Sequence, residues 1–277
     1  MVLDAIVAHK RVEVATAKRA VPVESLASRA ADQPPPLDFI GALRRSTVAV
    51  IAEIKRASPS KGVFAPGLAA DMTARQYVHG GAAAISVLTD ERYFHGTLDD
   101  LTAAQNAVRS LQAPVPLLRK DFVIDAYQVV EARAAGADAV LLIVRILSDE
   151  ELETLHRTAD AQGMAALVEV CNAEDIARIA SLAPRLVGIN QRNLSDFTVD
   201  RSTFARLRGL LPEETIVVAA SGIRTADDVA NAARAGADAI LVGEAIVTAE
   251  DRCRKVQELS GTPRRQTGAG TPTGGTG

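Results

Sequence analysis

One phrase recurs three times along the chain: Gly81-Ala82-Ala83-Ala84-Ile85-Ser86-Val87-Leu88, Gly136-Ala137-Asp138-Ala139-Val140-Leu141-Leu142 and Gly236-Ala237-Asp238-Ala239-Ile240-Leu241-Val242. In each, a glycine suited to the left-handed cap ends a helical pattern, and an apolar strand starts two or three residues later. Apolar runs of strand length fall at 48–54, 83–88, 115–118, 139–144, 165–170, 186–189, 215–219 and 239–242. Amphipathic helical patterns lie between them, for example at 126–135, 149–162, 173–180 and 226–235. Strand and helix in strict alternation predict βαβ units and a parallel sheet. Aromatic residues are few (six Phe, three Tyr, no Trp), so Ala, Val, Leu and Ile must fill the core. Such residues suit parallel strands covered on both faces. A doubly wound open sheet would want a Gly-rich turn after its first strand, and Glu53-Ile54-Lys55-Arg56-Ala57-Ser58 stands there instead. The pattern predicts an α/β fold, a single (β/α)8 TIM barrel, for which 277 residues suffice.

Two segments fall outside the alternation. Residues 1–47 read as an N-terminal helical extension. A first helix carries Leu3, Ile6, Val7 and Val14 on one side; Pro22, the Pro34-Pro35-Pro36 run and a short helix from Asp38 follow. It is expected to pack across one mouth of a barrel spanning 48–259. Residues 260–277, almost all Gly, Thr, Pro, Arg and Gln, read as a disordered C-terminal tail.

A formal charge of −3 supplies no basic field for nucleic acid or an anionic membrane. The longest apolar run, 139–144, is far short of the ~20 residues of a membrane span. Asp4, His9, Lys10, Arg11 and Glu13 interrupt any signal-peptide core. Cys171 and Cys253 make neither a disulfide framework nor a zinc spacing, and the histidines show no ligand pattern. A cytoplasmic protein without metal, as monomer or weak homodimer, is expected.

In a barrel, chemistry gathers where the strands exit, and residues two apart on a strand share a face. Glu53 and Lys55 share a face at the first exit, Arg119-Lys120-Asp121 end the third strand, Glu169 ends the fifth, and Asn190-Gln191-Arg192 end the sixth. Each alone reads as a solvated rim residue. Gathered on one rim, such charges are costly unless a site uses them. Glu169 suits proton transfer, and Lys120 suits either a general acid or a Schiff base. After the seventh and eighth strands, Ser221-Gly222 and Gly243-Glu244 open helical patterns, the usual place of a barrel's phosphate cradle. Tyr93-Phe94 reads equally as an aromatic wall for a flat substrate or as packing against the extension.

Taken together, these strings resemble the indole-3-glycerol phosphate synthase family. The likeness rests on Ile51-Ala52-Glu53-Ile54-Lys55-Arg56-Ala57-Ser58-Pro59-Ser60-Lys61-Gly62, Leu118-Arg119-Lys120-Asp121-Phe122, Val168-Glu169-Val170, Gly188-Ile189-Asn190-Gln191-Arg192-Asn193-Leu194 and Ser86-Val87-Leu88-Thr89-Asp90 with Tyr93-Phe94-His95-Gly96. It runs from about residue 3 to 256. The resemblance implies closure of 1-(2-carboxyphenylamino)-1-deoxyribulose 5-phosphate to indole-3-glycerol phosphate with loss of CO2 and water, without a cofactor. Lys120 would be the general acid and Glu169 the general base of the later dehydration. Lys55, with Glu53 beside it, would bind substrate anionic groups and assist proton transfer. Ser58, Phe94, Asn190, Arg192 and Ser221 would contact the substrate, and Gly222, Gly243 and Glu244 the phosphate. The sequence departs from the family at Ala220, where a glutamate is usual, and more mildly at Cys171 and Ala245. Ala220 keeps two alternatives open: a diverged paralogue acting on a related amino-sugar phosphate, and a non-catalytic barrel that binds a phosphorylated ligand.

Overall fold

The computed structural model describes residues 2–192 and 198–264. In chain order the strands are β1 (Ala49–Ile54), a short hairpin of β2 (Ala57–Ser58) and β3 (Gly62–Val63), β4 (Ala84–Leu88), β5 (Leu117–Lys120), β6 (Ala139–Ile143), β7 (Ala165–Val170), β8 (Leu186–Asn190), β9 (Ile216–Ala220) and β10 (Ala239–Val242). The helices are α1 (Val2–Ala20), α2 (Val23–Ala31), α3 (Phe39–Leu43), α4 (Ala70–His79), α5 (Glu91–Phe94), α6 (Leu98–Arg109), α7 (Ala126–Ala134), α8 (Asp149–Ala161), α9 (Ala173–Arg178), α10 (Ser202–Arg208), α11 (Ala226–Arg234), α12 (Glu244–Val247) and α13 (Arg252–Leu259). Leaving out the hairpin, every strand pairs in parallel with both neighbours, and β1 meets both β4 and β10, so the sheet closes into a barrel rather than opening as a doubly wound layer.

Strand parity divides the core. Ala49, Ile51, Leu118, Leu141, Leu167, Val218 and Leu241 fill the interior, while Val50, Ile54, Val87, Val140, Val168 and Ile240 pack outward under the helices. The recurring phrase has a physical meaning. Its glycines adopt φ of +90°, +89° and +94°, a region in which a side chain would be strained, and so turn each helix into the next strand. In two copies the aspartate then repairs the preceding strand: Asp138 accepts from the Leu117 N–H at 2.8 Å and Asp238 from the Val217 N–H at 2.7 Å. Both carboxylates are buried, so each satisfies a donor that water cannot reach.

The extension reaches both mouths rather than one. Ile6 of α1 belongs to the interior cluster, and Lys10 of the same helix lies 3.0 Å from Asp90 and from Asp121, which follow β4 and β5 at the strand exits. Leu26 and Ala30 of α2 lie against Tyr127 and Ala134 of α7 on the barrel's flank, where the Tyr127 hydroxyl donates to Ala17 O and Val21 O. Phe39 and Leu43 of α3 then plug the strand starts among Ala49, Ala84, Ala139 and Leu186. Burying two such side chains contributes about 1.5–3 kcal/mol each. Within 260–277, the first residues are ordered: Val48 N donates to Thr262 O, Thr47 bridges Pro263, and Arg264 N donates to Ser46 O. The remainder of that expected tail, 265–277, lies outside the described residues. Among the described residues no helix is long and apolar enough to cross a membrane.

The third barrel strand departs from expectation by two residues: it runs over Leu117–Lys120 rather than 115–118. Pro116 has no N–H for the ladder, whereas Arg119 and Lys120 extend it because both have places to go. Arg119 points outward and donates to Gln128 O and the Glu131 carboxylate, both at 2.8 Å, while Lys120 points inward.

Candidate active site

Eight strand exits surround one cleft of about 500 Å³. Parity brings Glu53 and Lys55 from the end of β1, Lys120 from β5, Glu169 from β7 and Asn190 from β8 to its wall, with Ser58, Phe94, Arg192, Ser221, Gly222, Gly243 and Glu244 around them. Every site residue expected from the sequence therefore lines the same opening. Asn193 and Leu194, part of one motif, lie outside the described residues.

At the base, Glu53 is 4% exposed and its Oε1 lies 2.9 Å from Lys55 Nζ. Burial pushes the Glu53 carboxyl up, but the Lys55 and Lys120 ammonium groups outweigh it and hold the group below the usual carboxylate range. Lys120 itself has no hydrogen bond or ion pair with another side chain among the described residues, so its ammonium faces the cleft uncommitted.

Across the cleft, Glu169 is equally buried and accepts from Asn190 Nδ2 at 3.1 Å. Asn190 Oδ1 accepts in turn from Ser221 Oγ at 2.9 Å and from Arg192 N at 3.0 Å. These two acceptances fix which way the amide points. Gln191, named in the rim string but given no role there, is the support behind this chain: its Nε2 donates to Ser221 O at 2.7 Å. Its signal was position alone, between two rim residues on a buried strand end. Cys171, on the same face as Glu169, is half-buried, and desolvation with the Glu169 and Asp175 charges pushes its thiol up to about 12, which disfavours the thiolate.

The turn after β9 is strained as a ligand cradle often is: Ser221 sits at φ +68° and Gly222 at +81°. Gly243 is required for a different reason. A Cβ there would stand 2.4 Å from Glu53 Oε1 and 3.2 Å from Lys55 Nζ. Gly243→Ala should displace that pair, lowering activity about tenfold while costing only about 1 kcal/mol of stability, because side-chain ends rather than backbone must yield. Steady-state kinetics beside thermal melts would check this, and an unchanged rate would refute it.

Glu244 opens α12, and its carboxylate is already engaged by Lys61 Nζ at 2.5 Å and Arg224 Nη2 at 3.1 Å. Burial raises its proton affinity, and these cations more than reverse that. Its side chain would repel a phosphate rather than hold it, which leaves the backbone and the gathered cations as the anion-attracting part of this rim. The aromatic pair divides between the two roles considered for it. Phe94 faces the cleft with its ring centroid 6.0 Å from that of Phe122, whereas Tyr93 turns to His9 of α1 at 6.2 Å.

A family model described as indole-3-glycerol phosphate synthase matches residues 3–259. An indole-3-glycerol phosphate synthase of Roseiflexus castenholzii is 49% identical over 263 residues, covering 94% of this chain and 98% of the relative. One from a Nocardioides species is 47% identical over 260 residues with the same coverage. Among solved structures, tryptophan synthase subunit alpha from Legionella pneumophila superposes with a TM-score of 0.60 at 17% identity, covering 80% of this chain and 97% of that one. Thiamine phosphate pyrophosphorylase from Pyrococcus furiosus gives 0.57 at 18%, with 80% and 96% covered. At these identities the two structures speak to the fold alone.

Proposed function

Because the chain belongs to the indole-3-glycerol phosphate synthase family, we propose that it closes 1-(2-carboxyphenylamino)-1-deoxyribulose 5-phosphate to indole-3-glycerol phosphate, releasing CO2 and water. The observation that carries the assignment of roles is the pairing of an uncommitted Lys120 with a buried, amide-oriented Glu169 across one cleft. Lys120 gives its proton to the ketone oxygen as the ring carbon bearing the carboxylate attacks the carbonyl carbon. The new C–C bond forms, the carboxylate leaves as CO2, and its bonding electrons restore the aromatic ring. Glu169 then takes a proton from the carbon between the nitrogen and the hydroxyl-bearing carbon; the C–H electrons form the ring double bond, and the hydroxyl departs as water with a proton delivered by Lys55. Lys55, neutralised in part by Glu53, attracts the substrate's anionic groups and assists proton transfer. Phe94 lies against the anthranilate ring, Ser58 contacts the same portion, and Asn190, Arg192 and Ser221 orient the chain between ring and phosphate. Gly222, Gly243 and the start of α12 let backbone approach the phosphate, with Arg224 and Lys61 nearby. No cofactor enters.

Ala220 distinguishes this mouth. Its methyl group points inward between Asn190 and Leu241, its neighbours in register, and it is buried. A glutamate there would add an acceptor beside Asn190, an interaction worth about 1–3 kcal/mol in a desolvated site, or roughly tenfold to a hundredfold in rate. Indole fluorescence on adding the substrate to the purified protein should show turnover, and Ala220→Glu should be faster by about that factor. A parent that binds substrate yet never yields indole, beside a variant that does, would transfer the assignment to a related amino-sugar phosphate. Turnover by neither would overturn the proposed roles.

A further inference from the structure

We infer that Lys10, on the N-terminal extension, is a positioning residue for this reaction, holding the exits of β4 and β5 so that Phe94 and Lys120 face the substrate together. Lys10 is fully buried on α1. Its ammonium lies 3.0 Å from Asp90 Oδ2, 3.0 Å from Asp121 Oδ1, and 2.8 Å from Glu13 Oε1. Each of the first two carboxylates commands a different part of the cleft wall. Asp90 caps α5, accepting from Tyr93 N at 2.8 Å, and that helix carries Phe94. Asp121 follows Lys120 directly and accepts from Phe122 N at 2.8 Å, from Thr89 Oγ1 at 2.6 Å and from Arg119 Nη2 at 3.1 Å. One cation thus ties the segment bearing the aromatic wall to the segment bearing the acid.

Lys10 lines none of the cleft, whereas Asp121, Phe122, Phe94 and Lys120 all do, so it touches no substrate and acts through its partners. Stability alone is a poor reason for such a cluster. Stripping water from an ammonium and two carboxylates is costly, and a well-packed apolar group often serves a fold as well. What an ion cluster supplies that apolar packing does not is a fixed distance between two particular oxygens. Burial opposes the charge on Lys10, yet Asp121 and Asp90 hold its pKa well above the ordinary lysine value, and Asp121 is itself held down at about 2 by Arg119 and Lys10 against its own burial, so the Lys10–Asp121 pair is favoured in its charged form.

The inference rests on Lys120 and Phe94 acting on the substrate, and measuring the parent and Lys120→Met alongside separates its failure from theirs. Lys10→Met keeps the stem and removes the charge. At a temperature where circular dichroism shows the fold intact, it should lose about thirtyfold in kcat per folded molecule, with KM within about threefold of the parent. Lys10→Arg should recover the melting temperature more fully than kcat, because a planar fork restores charge but not the spacing of a point-like ammonium. A folded Lys10→Met with parental kcat overturns the inference and leaves Lys10 a purely structural residue. If Lys10→Met does not fold, Asp90→Asn, which retains the cap on Tyr93 N, takes its place with an expected severalfold loss of kcat. A folded Asp90→Asn with parental kcat, or failure of both variants to fold, also overturns it.

Discussion

Lys120→Met is expected to abolish measurable cyclisation, lowering kcat by about 10³-fold, the range that loss of a positioned general acid commands. Methionine keeps the length and the apolar stem, so the cleft keeps its shape. The ammonium is tied to no neighbouring side chain, and removing it breaks no structural bond among the described residues. Its charge acts on Glu53, which Lys120 and Lys55 together hold ionised, and to a lesser degree on Cys171. With Lys55 still 2.9 Å away, Glu53 remains paired. Folding stability should therefore change little, and substrate affinity by no more than a few fold. A variant with kcat within tenfold of the parent would remove Lys120 from the chemistry. One that loses affinity and not rate would make it a binding residue.

Glu169→Gln should lower kcat by about 10²–10³-fold, and should do so at a later step. The amide preserves the volume of the buried side chain, and its carbonyl oxygen can still accept from Asn190 Nδ2 in place of the carboxylate at 3.1 Å. What it cannot do is take a proton. Ring closure and decarboxylation precede that demand, so a single turnover should release close to one equivalent of CO2 while indole fluorescence stays absent. Loss of both products together would place Glu169 in ring closure instead. Parental rates of both would show that another group is the base. The CO2 trace against the fluorescence trace decides among these outcomes.

The architecture was legible because its strongest signals are local. Strands at 165–170 and 239–242 fall where the apolar runs put them, and the three glycines have the left-handed φ their spacing demanded. The rim was legible for the same reason: parity on a strand is a rule of period two, and Glu53, Lys55, Lys120, Glu169 and Asn190 obey it. What escaped depended on partners far away in the chain. Lys10 stands four residues from Ile6 and four from Val14, squarely on the buried stripe of α1, yet a lysine there reads as solvent until Asp90 and Asp121 are known to meet it. Arg119 was hidden in the same way, since hydropathy ended its strand at Leu118 while Glu131 and Gln128 awaited it across the helix layer. The path of the extension, from one mouth to the other, is likewise a tertiary fact: Pro34, Pro35 and Pro36 announce a break but not its direction.

The meeting of β1 with β10, sealed by the pairing of 46–48 with 262–264, carries a consequence for how the protein is made. A ribosome delivers β1 early and β10 last, so β1 carries an open edge until nearly the whole chain has emerged. Lys10, by contrast, has both its carboxylates as soon as residue 121 is out. The growing chain can therefore anchor its leading helix to the first three barrel strands while one flank still exposes backbone to any passing strand. A stalled chain stopped short of β10 is then the species that needs a chaperone, and the finished molecule hides the seam where that risk lay.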